Sequence, residues 1–232
     1  MGPQEPGNRI LHLIYGLCMY SNDKALMRLY SMSDWQELNL TFNSKKLLKE
    51  LEPFDADWKK YNPSNEKNNR WGLSVTSLDG GLSGIPDLMS LKQHYDNTGQ
   101  QVSDSDINVP TRVWTECETV QRILEPFRPW VIRTHFLRLD AGSYFPDHHD
   151  MLRREFCRDH IRLTAFVNVN EYSFKWIYDD KIIKCNNGSI WYFNSHKRHC
   201  VFSTADNMLI MVILLEFNED LYFYLMNNMR VS

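Results

Sequence analysis

The chain has 232 residues, enough for one large domain with a sizeable core. Apolar residues make up 43%, with 12 Phe, 11 Tyr and 7 Trp, which excludes a disordered chain. A formal net charge of −3 with neutral histidines argues against a general nucleic-acid binder, which would show a basic face, and no nucleic-acid partner is expected.

Residues 2–7 read as a flexible start. The apolar run Leu11 to Tyr20 contains His12 and falls well short of the ~18 residues of a membrane span. No longer apolar run follows, so no membrane partner is expected. Residues 8–60 mix short apolar runs with helical signals. Ser44 is the expected cap of a helix through Leu51, with Leu47, Leu48 and Leu51 on one stripe. Residues 61–70 form a polar loop, and Trp71 to Ser77 alternates as a strand does. Gly80-Gly81 and Ser83-Gly84 break the chain, and Pro86 opens a short helix carrying Leu88, Leu91 and Tyr95. After a polar loop over 96–110, Thr115 and Glu118 match a capping box. Val120, Ile123, Leu124 and Phe127 then follow at helical spacing.

From Trp130 the texture changes. Trp130–Asp140, Ile161–Asn170, Lys175–Tyr178, Lys181–Lys184, Ser189–Asn194 and Met208–Phe217 read as strands separated by Gly, Asn and Asp turns. Such a series of short strands indicates a sandwich or barrel. A helix over about Glu219–Met229 closes the chain. We therefore expect a helix-rich portion, 1–129, packing on a β core with its C-terminal helix, 130–232, as one structural unit. The five cysteines are odd in number and widely spaced, with no C-x-x-C pair. That pattern suits free thiols in a reducing compartment, and a cytoplasmic location is expected.

Within the β half, His148 and Asp150 stand two apart after the turn at Gly142, and His199 follows the run Gly188 to Asn194. Alternate residues of a strand share a face, so His148 and Asp150 can point at one ion. His199, from a distant strand, would complete a two-His, one-carboxylate triad that leaves coordination positions open. Imidazole and carboxylate suit Fe(II), although Mn, Co or Zn would also be held. A second H-x-D, His94-Tyr95-Asp96, lies in a helical pattern, where residues two apart diverge, and is set aside. His149 would share no face with Asp150, and His196 is the rival distal ligand.

Arg138-Leu139-Asp140-Ala141-Gly142 followed by His148-x-Asp150 resembles the entry motif of the Fe(II)/2-oxoglutarate-dependent oxygenases. Residues Ile161 to Asn170, Gly188 to Asn194 and His199-Cys200-Val201 are similar to the aspartyl/asparaginyl β-hydroxylase and free-proline hydroxylase branch. The likeness spans about residues 130–217. It implies a mainly β fold with flanking helices, a double-stranded β-helix (cupin-like jelly roll). It also implies Fe(II), 2-oxoglutarate and O2 as cofactors, and His148, Asp150 and His199 as catalytic metal ligands. The implied reaction is hydroxylation of an amino acid, free or in a peptide or protein. Arg153 and Arg154, in the loop after the triad, are candidates to meet an anionic substrate. Neither substrate identity nor oligomeric state is set by these features.

One departure stands out. The family places a basic residue soon after the distal histidine to hold the far carboxylate of 2-oxoglutarate. Here Cys200 to Met229 contains no Lys, Arg or His, and the corresponding positions are Asn207, Met208 and Leu209. Arg162 is the expected substitute, with Thr164 and Asn168 on its strand face and Tyr144 on the face of His148; Arg133, Arg138 and Lys175 are weaker candidates. The competing expectation is a cupin-like metal-binding protein without 2-oxoglutarate turnover.

Overall fold

Period-two patterning in the second half of the chain is realised as two facing antiparallel sheets, built here from a computed structural model. The structure describes residues 23–32, 34–62, 68–150 and 160–230. In chain order the first part carries a helix over 23–32 (α1), β1 (Trp35–Thr41), α2 (Ser44–Leu51), β2 (Lys59–Lys60), β3 (Arg70–Ser74), β4 (Thr76–Ser77), α3 (Leu91–Thr98), β5 (Val109–Pro110), α4 (Arg112–Glu116) and α5 (Glu118–Leu124). The second part carries β6 (Val131–Leu139), β7 (Tyr144–His148), β8 (His160–Asn168), β9 (Phe174–Tyr178), β10 (Lys181–Ile183), β11 (Ser189–Phe193), β12 (His199–Ser203), β13 (Met208–Glu216) and α6 (Glu219–Asn228).

The seven-stranded sheet runs β1-β11-β8-β13-β6-β3-β2 and the four-stranded sheet β10-β9-β12-β7. Apart from the β9–β10 hairpin, the chain changes sheet at each step from β6 to β13. That is the winding of a double-stranded β-helix, and the expected jelly roll with flanking helices is the observed fold. Strands β1, β2 and β3, from the first part of the chain, extend the larger sheet at both edges.

Strand β13 shows why its run Met-Leu-Ile-Met-Val-Ile-Leu-Leu is continuously apolar. Met208, Ile210, Val212 and Leu214 fill the barrel interior with Phe166, Trp176 and Phe193. Leu209, Met211, Ile213 and Leu215 face outward under the helices, against Leu47, Val120 and Leu124. A strand covered on both faces needs apolar residues at every position, and each full burial of such a side chain contributes about 1.5–3 kcal/mol.

Several local expectations are corrected. Asn43, not Ser44, caps α2, its side chain accepting from the Lys46 N–H at 3.0 Å. The Thr115/Glu118 capping box does not form: Thr111 caps α4 instead, and α5 starts at Cys117 with no side-chain cap. Trp71 to Ser77 is two strands, because the chain leaves β6 after Ser74 and β4 pairs with β5. Residues 85–88 form a turn, and the helix beyond it begins at Leu91. Strand β1 was not read from the sequence, and β7 and β12 were expected only as strands carrying His148 and His199, without bounds. Among the described residues no helix is long and apolar enough to cross a membrane. Cys117, Cys185 and Cys200 are free, and Cys18 and Cys157 lie outside the described residues.

Candidate metal centre

His148 ends β7 and sits directly opposite His199, the first residue of β12. Cross-strand partners have adjacent side chains, and the two rings lie 4.4 Å apart. Asp150 is not on the strand, as its spacing from His148 suggested. It lies two residues beyond the strand's end, where its backbone N–H donates to Ser195 O at 2.8 Å. Its Oδ1 comes within 3.6 Å of His148 Nε2. One ligand atom from each of His148, Asp150 and His199 falls within 4.8 Å of the others, so the three can share an ion.

Neighbouring groups set the orientation of all three. His148 Nδ1 lies 2.6 Å from Pro146 O, and His199 Nδ1 lies 2.9 Å from Lys197 O. A carbonyl can only accept, so each ring donates from Nδ1 and keeps its Nε2 lone pair for the centre. Arg162 grips Asp150 Oδ2, leaving Oδ1 turned to His148. Burial works against ionisation of Asp150, but Arg162 and the two imidazoles outweigh it, so its carboxyl sits well below the usual range. Asp150 attracts a proton to His148 and raises its pKa, whereas burial lowers that of His199.

The centre opens on a cavity of about 170 Å³. Its apolar wall includes Leu137, Val201, Ile210, Val212 and Leu214, and Trp176 and Phe193 stack 4.5 Å apart within it. Tyr61, Asp104, Arg133, His135 and Phe145 also line it. Tyr61 stacks on His135 at 5.7 Å. Arg133 is fixed by Asp104 Oδ1 at 3.2 Å and by the carbonyls of Asp87 and Met89 at 2.7 and 2.8 Å. His135 is 4% exposed, and burial with Arg133 and Arg162 nearby holds it neutral, its pKa well below the ordinary value.

Of the expected cosubstrate contacts, Arg162 lines the cavity, already paired with Asp150. Thr164 shares its inward face, fully buried. Asn168 is away from the cavity at the far end of β8, donating to Asn207 O at 2.8 Å. Tyr144 does not share the face of His148. β12 advances two residues, from His199 to Val201, while β7 spans three, from His148 to Phe145. This bulge reverses the parity, so Phe145 faces the cavity and Tyr144 is 49% exposed. Arg138 lies over Trp58 and Trp71, and Lys175 donates to Glu171 O. Arg153 and Arg154 lie outside the described residues. His149 is exposed, and His196 meets the Asp150 carbonyl, Nδ1 to O 3.2 Å, instead of the centre. The second H-x-D diverges: His94 is buried and Asp96 pairs with Lys92 on the surface of α3. Sequence reasoning missed His135, Tyr61 and Trp176; for His135 the signal was a polar residue at an inward position of the core strand β6.

No family model matches the chain, and no curated protein matches it. Among solved structures it is similar to a Trichoplax adhaerens prolyl hydroxylase in complex with a hypoxia inducible factor oxygen degradation domain peptide. Identity is 12%, with 87% of this chain and 92% of that one covered at a TM-score of 0.47. It is also similar to a Pseudomonas putida prolyl-4-hydroxylase, at 12% identity, 81% and 94% coverage and TM-score 0.42. A third likeness is to KdgF from Halomonas sp., at 13% identity, 40% and 74% coverage and TM-score 0.30.

Proposed function

We propose that the chain is an Fe(II)/2-oxoglutarate-dependent dioxygenase hydroxylating an amino acid, free or within a peptide or protein, in the cytoplasm. The observation that carries this reading is the convergence of His148, Asp150 and His199 within 4.8 Å, with both histidines turned Nε2-inward by backbone carbonyls. The donor set fits Fe(II): two imidazoles and one carboxylate, with a cavity on the open side. The motif resemblance over residues 130–217, in order and spacing, adds the aspartyl/asparaginyl β-hydroxylase and free-proline hydroxylase branch. Residues 1–129 and 130–232 act as one unit, since strands from both build the sheet that backs the centre.

Iron(II) and 2-oxoglutarate, when bound with O2, supply C–H hydroxylation coupled to decarboxylation of the 2-oxo acid to succinate. The chain's own part is positional. The β7–β12 pair fixes the two imidazoles at matched height, and Arg162 holds Asp150 ionised with one oxygen free. The apolar wall from β6, β12 and β13 keeps bulk water from the reacting face.

A second reading, a cupin-like metal-binding protein without 2-oxoglutarate turnover, draws on one observation: β13 presents only Met208, Ile210, Val212 and Leu214 to the interior. Anaerobic addition of Fe(II) and 2-oxoglutarate separates the two. The dioxygenase gives a weak visible charge-transfer band and, on admitting O2, releases succinate. Metal binding with neither band nor succinate would favour the second reading.

A further inference from the structure

The cavity wall and the strand face beside it carry polar atoms that the protein leaves unmatched. Arg162 Nε, Thr164 Oγ1, His135 Nδ1 and Trp176 Nε1 are all buried without a hydrogen-bond partner. Their placement is coherent. Thr164 and His135 are the two cross-strand partners of Val212, on β8 and β6, and so flank one inward position. Arg162 stands two residues from Thr164 on the same face and is paired with Phe193, on which Trp176 stacks. An indole N–H and a guanidinium N–H can only donate, and the hydroxyl and the neutral imidazole can each supply one hydrogen. His135, Arg162 and Trp176 line the cavity, and Thr164 stands beside it, opposite the lining residue Val212; buried donors left unmatched cost about 1–3 kcal/mol apiece, so this group marks a ligand rich in acceptors.

Charge narrows the ligand further. Among the described residues lining the cavity, Arg133 and Arg162 are balanced by Asp104 and Asp150. A divalent ion at the triad leaves two positive charges uncompensated, which a doubly charged acid neutralises and a monocarboxylate does not. A carboxylate that accepts several hydrogen bonds can stay ionised in a buried site without a dedicated cation of its own.

We propose that Arg162, Thr164, His135 and Trp176 form a carboxylate-receiving subsite beside the metal centre, selecting a dianionic 2-oxo acid with no basic residue on β13. The proposal rests on the function put forward above. Arg162 and Thr164 were expected cosubstrate contacts from the sequence, and the fold adds His135 and Trp176 to them; Arg162 is shared between this subsite and Asp150.

The test is calorimetric binding to the Mn(II)-loaded protein, comparing 2-oxoglutarate with 2-oxopentanoate, which ends in a methyl group where the former has its remote carboxylate. The wild type should bind 2-oxoglutarate at least about tenfold more tightly, the scale of one hydrogen bond to a charged group. Trp176→Phe keeps the ring and removes the N–H, and Thr164→Val keeps the shape and removes the hydroxyl. Each should weaken 2-oxoglutarate binding about tenfold, leaving 2-oxopentanoate and Mn(II) binding unchanged; retained Mn(II) binding also shows that the variant is folded. Equal affinity of the wild type for both acids would overturn the subsite and leave the dioxygenase reading standing, as would variants that weaken both acids in parallel. Failure of the Mn(II)-loaded wild type to bind either acid would overturn both.

Discussion

The two histidines should be equivalent as metal ligands and unequal as structural residues, which makes their alanine variants an informative pair. His148 Nε2 and His199 Nε2 both face the centre, so either truncation removes one of the three proposed metal ligands. A metal bound only by the native state stabilises it by about 2.7 kcal/mol at a hundredfold excess over Kd. For a chain of this size that corresponds to a rise of about 5–10 °C in Tm. Both variants should lose that rise. Their metal-free stabilities should diverge, because His199 is 6% exposed with its ring parallel to Trp176 and Tyr178, whereas the His148 side chain is 35% exposed. Truncating His199 leaves a cavity in a packed aromatic stack and should cost about 2–4 kcal/mol. Truncating His148 should cost about 1 kcal/mol or less. Differential scanning fluorimetry with and without Co(II) reads both quantities, with His149→Ala as the exposed neighbour. A metal-induced rise that survives in either variant would refute the ligand assignment, as would its loss in His149→Ala. Equal metal-free Tm values for the two variants would refute the packing argument.

Three other perturbations test the surroundings. Arg162→Met leaves Asp150, 26% exposed in its side chain, without its counter-charge, and should lower stability by about 2–3 kcal/mol in denaturant titrations. The folded-state carboxyl of Asp150 lies below its unfolded value, so its contribution is present above about pH 4 and lost on acidification; in Arg162→Met that acid-dependent loss should be visibly smaller. His135 is also depressed on folding, so stability should fall as pH drops below about 6.5, by up to about 1.4 kcal/mol per pH unit. A His135→Gln variant whose stability keeps the wild-type slope between pH 6.5 and 5 would contradict this. Gly188 has φ +86°, and a Cβ there would stand 2.6 Å from Phe42 O, so Gly188→Ala should cost about 2 kcal/mol or more in Tm-derived stability.

The β core was legible because its strands are long, apolar and separated by turn residues. The two strands that carry the histidines were not, for a physical reason. β7 reads Tyr-Phe-Pro-Asp-His and β12 His-Cys-Val-Phe-Ser. Both belong to the smaller sheet, β7 at its edge, and neither has the apolar density of β13. The triad could be found without them because residue chemistry and order identify it, but the faces could not. Parity along β7 fails at a bulge, which sequence alternation does not reveal, and Tyr144 was placed on the wrong side as a result. Edge strand β1 was missed because its Trp-Gln-Glu-Leu-Asn-Leu-Thr shows one fully buried apolar residue, Leu38. The N-terminal contribution to the cavity was invisible for another reason: Tyr61 lies just past β2 and Asp104 opens a single 3-10 turn, and only the tertiary fold brings them to Arg133 and His135.

The centre is asymmetric in how its three groups are held. The two histidines sit in register on a paired ladder, each imidazole held by the carbonyl two residues before it. Asp150 has left the ladder and is positioned by three contacts from two other places: Ser195 O on its backbone N–H and His196 on its carbonyl, from one turn, and Arg162 on its Oδ2. A ligand on a strand is fixed by the sheet, whereas one on a loop is fixed only as well as its supporting contacts allow. The tolerance of the centre to mutation should therefore follow the supports of Asp150 more closely than the packing of the barrel. Loosening the 195–196 turn that carries two of those supports should weaken metal binding without loss of fold, whereas substitutions in the outward face of β13 should lower stability while leaving the metal affinity of the folded protein unchanged.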